Sequence, residues 1–184
     1  VGPAVRRLLA ECDRPLLLDA DALTALAGDP EPLRARAAAG FAPVLLTPHD
    51  GEFARLAGPV GPDRVVAARR LAGATGATVL LKGPSTVVAD PDGRALMIDA
   101  GGPWLATAGS GDVLSGIAGS LLAQGLAPLR AAGAATRVHG EAADLARHTS
   151  LVAGDIIAET ATAIGFLAEL TFSMDPTMFD DPTP

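Results

Sequence analysis

From Thr107 to Gly116 the chain reads Thr-Ala-Gly-Ser-Gly-Asp-Val-Leu-Ser-Gly. Glycine frees the backbone from the limits a Cβ imposes and lets it come close to a ligand. Where such a stretch opens a helix, the first amides lack intrahelical partners and favour an anion. Gly109, Ser110 and Gly111 are therefore a candidate cradle for a phosphoryl group, and Asp112 follows at its end. A carboxylate at a helix start can cap the helix or complement its dipole. Beside a phosphoryl cradle it can also take the proton of an attacking hydroxyl. The block has neither the Gly-Lys-Ser/Thr of a Walker-type loop nor the spacing of a dinucleotide fingerprint.

Lys82 follows the apolar run Thr78–Leu81 and precedes Gly83-Pro84-Ser85-Thr86. It reads either as a surface lysine at a strand end or as a cation for nucleotide phosphates, with Ser85 and Thr86 adding hydroxyls. Two other apolar runs also end in polar groups, one at Asp19-Ala20-Asp21 and one at His49-Asp50-Gly51-Glu52. Open α/β sheets gather ligands at the carboxyl ends of their strands, so the shared position says more than any single residue. Pro48 restrains the chain before His49, which can face a hydroxyl or phosphate or simply bond the backbone. Glu52 is expected to open a helix. Asp21 is a candidate cap, and Asp19 can face the pocket, orient a water or hold Mg²⁺ through water. Nothing has the spacing of a protein-built metal site, so Mg²⁺ is expected to arrive with nucleotide phosphates. His139 and His148 read as structural or surface residues, and Trp104 as loop packing or a ligand cover.

These groups need a scaffold, and the apolar patterning supplies one. Strands are expected at 16–18, 44–46 and 78–81. A hairpin of 87–89 and 95–98 turns at Pro91-Asp92-Gly93. Helices are expected at 20–27 (helix or turn), 62–74, 112–123, 129–147 and 154–167. Continuous apolar strands between helices mean an α/β fold with a mainly parallel sheet covered on both faces. Residues 1–168 are expected to form the domain and 169–184 an acidic, proline-containing tail. The small number of strands ahead of the glycine-rich loop suggests a domain incomplete at its N-terminus.

The 184 residues are 49% apolar and carry a formal charge of −7, with one cysteine, Cys12. That excludes a disulfide framework and a broad nucleic-acid surface, which needs a basic stripe. No apolar run reaches the roughly 20 residues that span a bilayer. A cytoplasmic location without membrane or nucleic-acid partners is the expectation.

Four ordered blocks carry a resemblance. They are Leu17-Leu18-Asp19-Ala20-Asp21-Ala22-Leu23, Leu46-Thr47-Pro48-His49-Asp50-Gly51-Glu52-Phe53-Ala54-Arg55-Leu56, Lys82-Gly83-Pro84-Ser85-Thr86, and Trp104 through Gly116. Over about residues 15–168 they resemble the ADP-dependent NAD(P)H-hydrate dehydratases, and the Trp-Leu-Ala-Thr-Ala-Gly form resembles the actinobacterial branch. The resemblance implies a ribokinase-like three-layer α/β/α fold. It implies ADP-dependent dehydration of the S epimer of NADH or NADPH hydrate, with AMP and phosphate released through a phosphorylated intermediate. It implies ADP or ATP with Mg²⁺ as cofactors, and an NAD(P)H-hydrate epimerase, fused or separate, as a partner; a homo-oligomer is compatible with it. By residue, it implies substrate contacts at His49 and Asp112, with Asp112 as general base, and nucleotide contacts at Lys82, Gly83, Pro84, Ser85, Thr86 and Gly111. Gly109 and Ser110 complete the cradle.

The chain departs from the family pattern in two places. Ala108-Gly109-Ser110-Gly111 stands where many members have Gly-Gly-Thr-Gly, and Asp50 stands where many have Pro. The family also carries a Gly-rich substrate-binding stretch upstream, which is expected to lie outside this sequence. A ribokinase-like small-molecule kinase and a noncatalytic nucleotide-binding fragment are the competing expectations.

Overall fold

Three all-apolar or nearly apolar runs make the parallel part of the sheet: β1 (Leu16–Leu18), β2 (Val44–Leu46) and β3 (Thr78–Leu81). The structure, a computed structural model, describes residues 1–146 and 151–173. β1, β2 and β3 pair in parallel, with Leu17 opposite Leu45 and Leu46 opposite Val79. β4 (Thr86–Ala89) returns antiparallel to β3, and β5 (Ala95–Ile98) antiparallel to β4. The order is β1-β2-β3-β4-β5, so all strands but β4 run in one direction. This is the mixed, mainly parallel sheet expected.

The helices fall on both faces. One layer holds α1 (Gly2–Glu11), α2 (Asp21–Thr24), α3 (Glu31–Ala38), α4 (Asp50–Ala57) and α5 (Arg64–Thr75). Leu18, Val44, Leu46, Val79 and Leu81 point into it, against Leu9, Leu33, Phe53, Ala68 and Leu71. The alternate residues Leu45, Leu80 and Val88 point the other way, toward α6 (Ser110–Ala123) and α7 (Pro128–Leu145). This period-two alternation is the pleat of a strand buried on both sides. Fully buried leucines such as Leu45 and Leu80 each stabilise the fold by about 2 kcal/mol. α8 (Ala153–Ser173) packs on α7 through Ile156 and Ala163, against Ala142 and Ala143.

Small residues set how close α7 comes. Ala131, Ala132 and Ala135 are fully buried against the sheet. A Cβ on Gly140 would lie 2.5 Å from that of Ala100 and 2.7 Å from the Gly101 nitrogen. α7 therefore lies directly on the segment that leads from β5, through a short 3-10 turn at Pro103–Leu105, to the glycine-rich loop. Trp104 packs in the α7–α8 cluster.

One charged residue is built into this scaffold. Arg36 on α3 is 3% exposed. Its guanidinium donates to the carbonyls of Leu9, Cys12, Arg14 and Ala42 at 2.7–3.1 Å and lies 5.4 Å from the Phe41 ring centroid. The carbonyls stand in for the carboxylate that a buried cation usually needs.

Several boundaries differ from those the sequence suggests. α1 and α3 form where no helix was expected. The helix expected from Asp112 starts at Ser110, because Gly109 adopts φ +84° and turns the chain two residues earlier. The helix expected from Pro62 starts at Arg64, where the Asp63 carboxylate caps it by accepting from Val66 N at 2.9 Å. Asp21 does not cap α2: Ala20 holds that position and Asp21 lies in the first turn. α8 continues past Leu167 through Ser173; the rest of the expected tail, and His148, lie outside the described residues. Among the described residues no helix is long and apolar enough to cross a membrane.

Candidate functional site

The parallel strands deliver their polar ends to one edge. Hydrogen bonds carry the sheet past its last residues: Thr47 N donates to Leu18 O at 3.1 Å and Lys82 N to Pro48 O at 2.8 Å. This fixes Asp19, the Thr47–His49 turn and Lys82 side by side. β5 ends at the same edge, so the glycine-rich loop and the start of α6 return to it.

Asp19 is the hub. Its Oδ1 accepts from Lys82 Nζ at 2.9 Å and from Ala20 N at 2.9 Å, and its Oδ2 accepts from Ser115 Oγ at 2.8 Å. Glu52 Oε2 lies 3.8 Å from the same ammonium. One cluster thus joins β1, β3, α4 and α6. Burial alone would raise the Asp19 pKa; the hydrogen bonds from Lys82 and Ser115 and the Lys82 charge outweigh it and hold it below its usual 3.8. Ala20 has φ +48° and ψ −118°. A non-glycine residue there is strained, and the bend turns the Ala20 amide back onto the Asp19 carboxylate.

α6 opens over this cluster. Gly109 is the N-cap in a left-handed conformation, and Ser110 is buried. A Cβ on Gly111 would sit 3.5 Å from Lys82 Nζ, so the ammonium lies directly under the first turn. The cradle is narrower than the sequence implies. Ser110 N donates to Thr107 O at 3.3 Å and Asp112 N to Gly109 O at 3.1 Å, so the turn uses these amides itself. Asp112 is exposed at the third position of the helix. Its carboxylate complements the helix dipole there, and the residue is open to solvent.

Below α6, His139 is buried and its Nε2 lies 3.4 Å from Ser110 Oγ. Burial pushes its pKa down to about 4, opposed by a bond with Ser110. It is structural, as the sequence suggests, and it supports the cradle from inside.

His49 is the N-cap of α4. Its Nδ1 accepts from Gly51 N at 3.0 Å and Glu52 N at 3.3 Å, while Glu52 Oε2 accepts from His49 N at 2.8 Å. This is a capping box with histidine in the usual Ser/Thr place. An accepting Nδ1 puts the proton of the neutral ring on Nε2, which lies 3.5 Å from Glu52 Oε1 on a half-exposed ring. Capping therefore occupies only Nδ1, so it does not conflict with a ligand-facing role for Nε2.

Gly83, Pro84, Ser85 and Thr86 link β3 to β4 at the same edge, with Gly83 and Pro84 exposed and Thr86 opening β4 opposite Ile98. The edge brings together Lys82, the 83–86 turn, Gly109–Asp112 and His49. An ammonium, a helix start and two glycines that permit close approach suit an anionic phosphate chain. Among the described residues no group of three or more His, Cys, Asp or Glu is placed to hold a metal, so a divalent cation would rely on phosphate oxygens. Ser115 was not picked out from sequence, although it lies one helical turn after Asp112. Asp19 and Glu52 were weighed but not assigned.

Comparison with known proteins gives four concordant findings. A family model described as NAD(P)H-hydrate dehydratase matches residues 2–163. The bifunctional NAD(P)H-hydrate repair enzyme Nnr of Mycobacterium tuberculosis is 57% identical over 126 residues, covering 68% of this chain and 26% of that protein. The ADP-dependent (S)-NAD(P)H-hydrate dehydratase of Neisseria meningitidis is 44% identical over 172 residues, covering 91% of this chain and 57% of that protein. The chain thus spans between about a quarter and three fifths of the length of these curated relatives. The crystal structure of the Bacillus subtilis ADP/ATP-dependent NAD(P)H-hydrate dehydratase, co-crystallised with ATP and Mg²⁺, superposes with a TM-score of 0.77 and 32% identity. The match covers 89% of this chain and 58% of that one.

Proposed function

The chain belongs to the NAD(P)H-hydrate dehydratase family with a ribokinase-like fold, and we propose that it supplies the nucleotide-binding and catalytic part of a protein that dehydrates the S epimer of NADH and NADPH hydrate at the expense of ADP. The observation that carries this is the placement of Lys82 Nζ under Gly111, with Asp112 exposed one residue further on.

The ring hydroxyl of the hydrate lies against Asp112, which takes its proton as the oxygen attacks the terminal phosphoryl group of ADP. The bond from that phosphorus to the bridging oxygen breaks and AMP leaves. Lys82 and the positive end of the α6 dipole counter the charge on the phosphoryl oxygens. The phosphate ester is a better leaving group than hydroxide; the ring nitrogen lone pair assists its departure, and the iminium so formed loses a proton from the adjacent ring carbon to the released phosphate or water, which restores the ring double bond. Dihydronicotinamide and inorganic phosphate are the products, so hydrate and ADP give NAD(P)H, AMP and phosphate. His49 Nε2–H is a donor for the substrate side. Mg²⁺ accompanying the nucleotide would supply charge neutralisation, with Asp19 near enough to the site to orient one of its waters. ATP is a second candidate phosphoryl donor. The Gly83–Thr86 turn and Gly109–Gly111 cradle the nucleotide. The relatives described as bifunctional support a partnership with an epimerase for the R epimer.

The test is the full-length protein incubated with hydrated NADH and ADP. Restored dihydronicotinamide absorbance, with one AMP per molecule restored, is the expected result. A phosphorylated alcohol formed from a hydroxyl panel, without restored NADH, would assign a small-molecule kinase instead. ADP binding without either product would leave a noncatalytic module.

A further inference from the structure

Arg64 opens α5, well outside the four blocks that carry the family resemblance. Its Nη1 donates to both oxygens of Asp50, at 2.8 and 3.0 Å. Its Nη2 donates to Lys82 O at 2.8 Å and approaches Leu81 O at 3.5 Å. The guanidinium is packed so closely on Gly83 that a Cβ there would lie 2.3 Å from Nη2. Its Nε is buried with no hydrogen-bond partner among the described residues, so Nη1 and Nη2 alone hold it in place. The side chain is 20% exposed, against 61% for Asp50.

Arg64 therefore touches both turns of the candidate site. Asp50 follows His49 directly and lies in the first turn of α4. Lys82 and Gly83 begin the turn expected to hold the phosphates. A lysine could pair with Asp50 or reach the Lys82 carbonyl, but it has no planar fork to do both at once. The acidic residue that stands where many relatives have proline is thus neutralised from the phosphate side of the site. We propose that Arg64, with Asp50 as its anchor, is a positioning residue that couples the His49 turn to the Lys82–Gly83 turn, so that hydrated ring and nucleotide phosphates are seated in one register. This rests on the dehydratase reading given above.

A glycine at position 83 is part of the device. A side chain there would displace the guanidinium from the carbonyl it bonds. The brace also explains why Lys82 can be fixed at both ends, its carbonyl by Arg64 and its ammonium by Asp19.

The experiment compares wild type, Arg64→Lys, Asp50→Asn and the double variant in the full-length protein. Each single variant is expected to raise KM for both ADP and hydrated NADH about fivefold, with kcat within about twofold. The double variant is expected to be no worse than Arg64→Lys alone, because the two act through one contact. Lower kcat with both KM values unchanged would mean only a loss of folded protein, and would overturn the proposal. Additive effects would overturn it as well. Asp50 is largely exposed, so its variant folds even if Arg64→Lys does not. Titration with ADP alone separates the two readings. If wild type restores no NADH, the dehydratase reading fails, while about fivefold weaker ADP binding by Asp50→Asn still supports the brace. Unchanged ADP affinity in that variant overturns it.

Discussion

Lys82 Nζ donates to Asp19 Oδ1 at 2.9 Å, joining residues 63 positions apart in sequence. Both side chains are mostly buried, at 19% and 15% exposure. Removing one partner of such a pair leaves an uncompensated charge and costs about 3 kcal/mol. Lys82→Met is therefore expected to destabilise the protein by about that amount. It also leaves Asp19 and Glu52 facing the start of α6 without a cation, and ADP affinity should fall at least about tenfold. Adding Asp19→Asn should recover part of the stability but not the affinity. Denaturant unfolding and ADP titration measure the two effects, and equal affinity in wild type and Lys82→Met would remove Lys82 from the phosphate site.

Asp112→Asn preserves the size of the side chain and its place at the third position of α6. If Asp112 is the base, turnover should fall about 100-fold or more, while ADP binding and unfolding midpoint stay close to wild type. Steady-state rates on hydrated NADH check it. Turnover near normal would move the base elsewhere.

His139 predicts a pH dependence of stability. Its folded pKa is about 4, against 6.5 for the free side chain. Between those values the unfolded chain binds a proton that the folded chain refuses, so stability falls as pH drops through this window and levels off below it. The full contribution is about 3 kcal/mol. Unfolding curves at pH 7, 5.5 and 4 (values chosen about this window) should show the loss in wild type and a much flatter profile in His139→Gln. Asp19 acts lower: its depressed pKa gives stability above 3.8 that is lost only as pH falls through the folded value.

Ala20→Gly should stabilise the protein. Ala20 holds φ +48°, which costs a residue with a Cβ about 1–3 kcal/mol and glycine nearly nothing. Glycine's greater freedom in the unfolded chain takes back about 0.4–1 kcal/mol, leaving a gain near 1 kcal/mol. A lower melting temperature in the variant would show that the bend carries no strain.

The strands were legible because they are short, mostly apolar runs, too short for a buried helix and bounded by polar or turn residues. Leu16–Leu18, Val44–Leu46, Thr78–Leu81 and Ala95–Ile98 form where the pattern places them. α1 and α3 were not legible. In α3 the one deeply buried polar residue is Arg36, whose letter reads as surface. The edge where the site gathers could be read from the strand ends, but its wiring could not. Asp19 meets Lys82 and Ser115 only after the parallel strands and α6 are assembled. Arg64 looks like one more charge on an arginine-rich helix until β3 brings the Lys82 carbonyl beneath it. The start of α6 was misjudged by two residues because a positive φ at Gly109 carries no side-chain signal.

The Arg36 contacts have a consequence for how the molecule comes apart. A guanidinium stays charged at any pH a protein survives, and peptide carbonyls do not titrate. The clasp between α3 and the chain around Leu9, Cys12, Arg14 and Ala42 is thus blind to acid, and its burial shelters it from salt. Acid acts elsewhere: His139 takes up its proton near pH 4 and Asp19 loses its charge lower still. Strong acid should therefore loosen α6 and α7 first and leave the α1–α3 corner as the last piece standing.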